Sequence, residues 1–186
     1  MMDILKDAKW IGLGAKTCLN WEAEIVPAPY FRREFSLKGR IKAADLRICG
    51  LGYFELRLNG DKVGVHVLEP IVTVYDRRVR FIHFDLTDAL RKDNAIGVIL
   101  GNGWYNCHTA EFWHFDKATW RDYPKLICQL DLAYQDGSVE TIVSNDTWRV
   151  ANDGPIVFDG LRNGETYDAR KEIVGWDSVG YDDAQW

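Results

Sequence analysis

The chain has 186 residues, with 28 acidic against 23 basic side chains and a formal net charge of −5. Its densest cationic cluster, Arg77, Arg78 and Arg80, is too small for the basic face that phosphate-backbone binding requires, so nucleic acid is excluded as a partner. The length suits one domain and suffices to bury a core without disulfides or a metal.

Cys18, Cys49, Cys107 and Cys128 lie at wide, irregular spacings with no Cys-x-x-Cys pair. A zinc site is therefore not expected, and nothing in the spacing calls for a disulfide. Cys49 and Cys128 fall in apolar strand patterns, where a free cysteine acts as a small hydrophobe. The start, Met1-Met2-Asp3-Ile4-Leu5-Lys6-Asp7, has no apolar signal-peptide core. No apolar run approaches membrane-spanning length. The expectation is a soluble, cytoplasmic chain with no membrane partner.

Taken in chain order, the pattern is strands and turns. Residues 31–37 read as a first core strand. Residues 43–49 alternate, with Ala44, Leu46 and Ile48 on one face and Asp45 and Arg47 on the other, the period-two mark of a half-buried strand. Residues 53–58 alternate again, with Phe54, Leu56 and Leu58 inward, and Asn59-Gly60 follows. That dipeptide accepts the positive φ angles of a type I′ turn, so a hairpin into 62–67 is expected. Residues 78–85 read as a strand, and Thr87 as the N-cap of a short helical turn. The apolar run 95–100 suits a strand covered on both faces. Residues 126–134 put Leu126, Cys128, Leu130 and Leu132 on one face, and Gln135-Asp136-Gly137-Ser138 turns the chain into 139–143. Asn145-Asp146 turns it into 148–150, and a Gly-rich, turn-rich tail follows from Asn152. No helical pattern of ten residues or more and no internal repeat occurs. The expected fold is an all-β jelly-roll sandwich, with a core over 31–151, an N-terminal arm over 1–30 and a C-terminal segment over 152–186.

Several motifs carry a resemblance. Leu58-Asn59-Gly60-Asp61-Lys62-Val63-Gly64, Phe84-Asp85-Leu86-Thr87-Asp88-Ala89-Leu90 and Asn94-Ala95-Ile96-Gly97-Val98-Ile99-Leu100 make residues 52–105 resemble the galactose-binding-like sandwich of many glycoside hydrolases. Gly101-Asn102-Gly103-Trp104-Tyr105 resembles a Gly-x-Gly-Trp-Tyr of bacterial α-L-rhamnosidases. Gly154-Pro155-Ile156, Asn163-Gly164-Glu165-Thr166-Tyr167-Asp168-Ala169-Arg170, Gly175-Trp176 and Asp182-Asp183-Ala184-Gln185-Trp186 fit the same pattern in order and spacing. The chain is thus similar, over nearly its whole length, to the N-terminal accessory domain of family 78 glycoside hydrolases.

That resemblance implies that the acid and base carboxylates lie in a helical (α/α)6 barrel further along the polypeptide. There they perform inverting hydrolysis across a gap wide enough for a water. Barrel helices and the barrel's Asp-x-x-x-Arg-x-Glu cluster have no counterpart here, so no catalytic residue is assigned and the chain alone is expected not to be an enzyme. The implied partner is the barrel of the same polypeptide. The implied role is to support or shape it in hydrolysis of terminal L-rhamnose. The alternative is a module that itself recognises terminal L-rhamnose on glycans, with calcium as the possible cofactor, since related domains include a calcium-using rhamnose binder. Calcium takes about six to eight oxygen ligands, and no EF-hand-type loop occurs here. No metal site is assigned.

Residues 101–124 are the most unusual segment, a long aromatic loop without a period. Trp104, Tyr105, Trp113 and Trp120 offer faces for stacking on sugar rings, and Asn106, His108 and Glu111 offer hydrogen bonds to hydroxyls. The competing reading has the same residues capping the sandwich edge and covering a neighbouring domain. Glu165, Asp168 and Arg170 form a compact charged group assigned to an interdomain contact, either bracing a substrate cleft or pinning the tail. The four histidines do not cluster at metal-ligand spacing, and no Gly-x-Ser-x-Gly elbow occurs.

Overall fold

The computed structural model describes residues 5–14, 26–108 and 114–186. They form β1 (Ile11–Gly12), β2 (Tyr30–Ser36), β3 (Ile41–Leu51), β4 (Tyr53–Leu58), β5 (Asp61–Lys62), β6 (Ile82–Asp85), β7 (Asp93–Gly101), β8 (Lys125–Tyr134), β9 (Val139–Val143), β10 (Arg149–Ala151), β11 (Ile156–Gly160) and β12 (Gly164–Tyr167). Two single 3-10 turns, Phe115–Lys117 and Ala169–Lys171, are the helical elements among the described residues. One sheet runs β1-β8-β3-β6, with β9 beside β8; the other runs β10-β2-β7-β4-β5; β11 and β12 form a separate hairpin. Every pairing is antiparallel, and from β2 to β10 the chain crosses between the sheets at most connections, as in a jelly roll.

The core lies between the two sheets. Ala44, Leu46 and Ile48 of β3 and Leu126, Cys128, Leu130 and Leu132 of β8 meet Phe31 of β2, Leu56 and Leu58 of β4, and Ile96, Val98 and Leu100 of β7. Each fully buried Leu, Ile or Phe contributes roughly 1.5–3 kcal/mol by leaving water. The period-two pattern of 43–49, 53–58 and 126–134 therefore sets which face of each strand turns inward. Asn59 (φ 54°) and Gly60 (φ 91°) make the tight turn between β4 and β5.

Three local expectations change. The strand expected over 62–67 stops at Lys62, because Gly64 adopts φ 79° and turns the chain away from β4. The strand expected over 78–85 begins at Ile82. At the turn after β6 the capping side chain is Asp85, not Thr87: its Oδ1 accepts the backbone N–H of Thr87 at 2.9 Å and the Thr87 hydroxyl at 2.6 Å. Thr87 Oγ1 instead accepts the N–H of Ala44 at 3.0 Å and ties the turn to β3. Cys49, Cys107 and Cys128 are free and buried, while Cys18 lies outside the described residues.

The outer face of β2 and β7 is covered by residues 176–186. Arg32, next to core residue Phe31 and so facing outward from the sandwich, is only 1% exposed. Its guanidinium donates to the carbonyls of Trp176 (2.8 Å), Ser178 (3.0 Å) and Tyr181 (3.5 Å) and pairs with Glu34 and Asp183. Glu34 also accepts the N–H of Gly180 at 2.9 Å. Trp176 meets Tyr30 edge-on at 4.8 Å and occupies the space a side chain at Gly97 would need, since a Cβ there would lie 2.6 Å from its ring. A second arginine, Arg57, pairs with the buried Asp177, whose carbonyl accepts the N–H of Gly60 at 3.0 Å.

Removing Arg32 leaves three carbonyls and two carboxylates without their shared cation. Arg32→Ala is expected to cost about 3–5 kcal/mol in urea denaturation, with residues 176–186 exchanging their amide hydrogens ahead of β3 and β8. Equal protection of tail and core in that variant would refute the clamp.

Candidate functional site

The segment after β7 turns inward. Asn102 is buried, donating its backbone N–H to Asp159 Oδ1 (2.7 Å) and its side-chain amide to the Asp159 carbonyl (3.0 Å) and Oδ2 (3.1 Å). Asn106, fully buried, donates to Asn102 Oδ1 at 2.5 Å and lies 3.5 Å from His108 Nε2. Arg121 Nη2 in turn lies 3.2 Å from His108 Nδ1, and the His108 ring packs on Phe158 at 5.8 Å. A buried polar chain thus runs from β11 through the loop to the approach of β8. Gly52 permits this close approach: at φ 123°, a Cβ there would come within 2.1 Å of the Gly101 carbonyl oxygen.

The aromatic residues of the loop pack on one another and on Tyr75 of the preceding connector. Tyr105 is buried and meets Tyr75 edge-on at 5.3 Å, while the half-buried Trp120 tilts on Tyr75 at 6.0 Å and the half-buried Trp104 on Phe115 at 5.2 Å. Burial pushes the phenols of Tyr75 and Tyr105 up to about 12. Glu111 and Trp113 lie outside the described residues. Of the residues singled out from sequence, Tyr105, Asn106 and His108 are therefore interior, and Trp104 and Trp120 present only part of their rings.

A concave feature lies next to this loop. A cleft of about 520 Å³ opens between the outer face of β4 and β7 and the β11–β12 hairpin, bounded by Tyr53, Glu55, Ile99, Leu68, Asp159 and Glu165. The hairpin is held in place by Asn102 and by the Ala28 N–H on the Ile156 carbonyl (2.9 Å), and closed at its base by the Asp168 N–H on the Pro155 carbonyl (2.8 Å). Asp159 and Glu165 are directly paired across its two strands and so share one face. Burial first, and the Glu165 charge second, push the Asp159 carboxyl up to about 6 against its bonds from Asn102. Glu55 is engaged with Arg57 at 3.0 Å and Lys62 at 3.3 Å.

The charged group of the tail is split by this geometry. Glu165 belongs to the cleft, whereas Asp168 accepts a bidentate pair from the exposed Arg170 (2.8 and 2.7 Å) and caps the 3-10 turn through the Arg170 N–H. Hydrogen bonding to Arg170 holds the Asp168 carboxyl below its ordinary value. The cleft-forming hairpin went unread in the sequence, although Asn163-Gly164 after the Ile156-Val157-Phe158 run is a hairpin signal. Among the described residues no group of three or more His, Cys, Asp or Glu side chains converges as for a metal ion.

An antiparallel jelly-roll sandwich with a hairpin-walled cleft against one sheet defines an all-β sandwich domain. The chain belongs to the alpha-L-rhamnosidase N-terminal domain family, whose model matches residues 39–186. It is 42% identical over 164 residues to an alpha-L-rhamnosidase of Formosa agariphila, covering 86% of this chain and 17% of that protein. Among solved structures, the alpha-L-rhamnosidase of Dictyoglumus thermophilum is 40% identical with a TM-score of 0.81, over 97% of this chain and 20% of that one. That of Aspergillus terreus is 31% identical with a TM-score of 0.86, over 98% and 21%. The chain thus spans about a fifth of the length of these relatives.

Asp159 sets a measurable pH dependence. An acid whose folded-state value lies above its unfolded value of roughly 3.9 holds its proton more tightly when folded. Its contribution is complete below pH 4 and is lost as pH rises through about 6. Asp159→Asn is therefore expected to match the native chain near pH 4 and to exceed it by about 1–2 kcal/mol at pH 7.5, in urea titrations at the two pH values. A difference of the opposite sign would show that the Asn102 bonds outweigh burial.

Proposed function

We propose that this chain serves as a non-catalytic accessory domain of an α-L-rhamnosidase, supporting or shaping a catalytic barrel carried elsewhere in the same polypeptide. The observation that carries this reading is the disposition of its acids. Glycoside hydrolysis uses two carboxyl groups flanking the scissile bond. Here Asp159 and Glu165 stand side by side on one hairpin, and Glu55, on the other wall, is held by two cations. The inward-turned polar chain from Asn102 to Arg121 supports the same view, because its hydrogen bonds serve the fold. Assayed with an aryl α-L-rhamnoside, the 186-residue chain is expected to give no turnover above buffer. A rate abolished by Asp159→Asn or Glu165→Gln would overturn the proposal.

A second reading is favoured by the chemistry of the cleft. The Tyr53 ring beside the Asp159 and Glu165 acceptors is a combination suited to a sugar, one face apolar and one edge hydroxylated. On this reading the domain recognises terminal L-rhamnose itself. Calorimetry of the chain with millimolar L-rhamnose, with and without calcium, separates the two. Heat that disappears in Glu165→Gln supports the module, and no heat under either condition leaves the supporting role.

A further inference from the structure

More than half of the exposed large hydrophobic side chains among the described residues lie in one stretch, the connector 65–81 between β5 and β6. Val65 is 90% exposed and Val67 69%, and Ile71 (62%), Val74 (55%) and Phe81 (44%) continue the run. Exposed apolar side chains gathered in one segment in this way point to an interaction site.

The connector is built, not loose. The Phe54 N–H donates to the Glu69 carbonyl at 2.8 Å, Thr73 Oγ1 to the Arg78 carbonyl at 2.8 Å, and Thr119 Oγ1 to Asp76 Oδ2 at 3.0 Å. Tyr75 is the inward anchor, wedged against Tyr105 and Trp120, so its neighbour Val74 is held facing out. Arg77, Arg78 and Arg80, all exposed, add a cationic rim to this apolar surface. At the other end, His66, Val67 and Leu68 form a lip of the 520 Å³ cleft.

We propose that the connector 65–81 is the face on which the remainder of the rhamnosidase polypeptide docks, through an apolar patch rimmed by carboxylates that meet the three arginines. The inference rests on the accessory-domain reading and names the surface that reading requires. Its occupant follows from length: this chain matches 15–20% of each curated relative, so some four-fifths of every such protein lies outside the matched segment. Docking there places the cleft at a domain boundary, where ligand sites commonly form.

The test grafts this chain in place of the matching region of the Dictyoglumus thermophilum enzyme and compares it with the chain alone. Hydroxyl-radical footprinting is expected to show severalfold slower labelling of Val67, Ile71, Val74 and Phe81 in the graft. Ile71→Asp with Val74→Asp is expected to restore fast labelling of Val67 and Phe81 in the graft while leaving the melting temperature of the isolated chain unchanged. A graft that turns over aryl rhamnoside yet labels these residues as fast as the isolated chain overturns the docking face and leaves the accessory role standing. A graft that lacks turnover and labels them equally fast overturns both. Sedimentation of the isolated chain as a dimer with the same residues protected makes the occupant a second copy and also overturns the proposal.

Discussion

The arrangement of this domain depends on one buried cation. Arg32 sits outside the sandwich core but inside the protein, because residues 176–186 fold over it and supply three carbonyls and a carboxylate. A guanidinium out of water is tolerable only when its fork of donors is filled. The requirement acts in both directions: the tail has to lie where it does to satisfy Arg32, and Arg32 has to stay charged to hold the tail. Trp176 then seals the outer face of β7 against Gly97, and Asp177 reaches Arg57 on the neighbouring strand. The outer face of the second sheet thereby becomes an interior surface over part of its area and an open cleft over the rest.

The cleft inherits its character from that division. Its hairpin wall is fixed by Asn102, itself the first member of a hydrogen-bonded series ending at Arg121. The wall that carries Asp159 is thus coupled to the loop packed under Tyr75, and Tyr75 in turn sets the outward face of the connector. Cleft, loop and connector form one mechanically continuous region on one flank of the sandwich. A change in what lies against the connector has a short physical route to the acid in the cleft.

The core was legible in the sequence because alternation is a local signal. Ala44, Leu46 and Ile48, or Leu126, Cys128, Leu130 and Leu132, announce their buried face within seven residues, and Asn59-Gly60 announces its turn within two. The tail was not legible, because Arg32 contacts it 144 to 151 positions away and mostly through backbone carbonyls, which carry no residue-type signature. The loop after β7 was ambiguous for a different reason. Asn, His and Tyr are the residues of both a sugar site and a satisfied interior network, and only orientation separates the two. Glu165 and Asp168 looked like one charged group from their spacing, but β12 ends at Tyr167, and the two side chains fall into different surroundings.

The strand order has a consequence for how copies of this protein behave in concentrated solution. The long strands, β3, β7 and β8, all lie inside their sheets, while the outermost positions are held by β1, β5, β6, β9 and β10, none longer than five residues. One side of β8 is shared between β1 at one end and β9 at the other. Among the described residues, unpaired backbone donors and acceptors are therefore offered in short, interrupted rows, poor templates for a foreign strand. Margins this short disfavour the addition of a second copy's strand to either sheet.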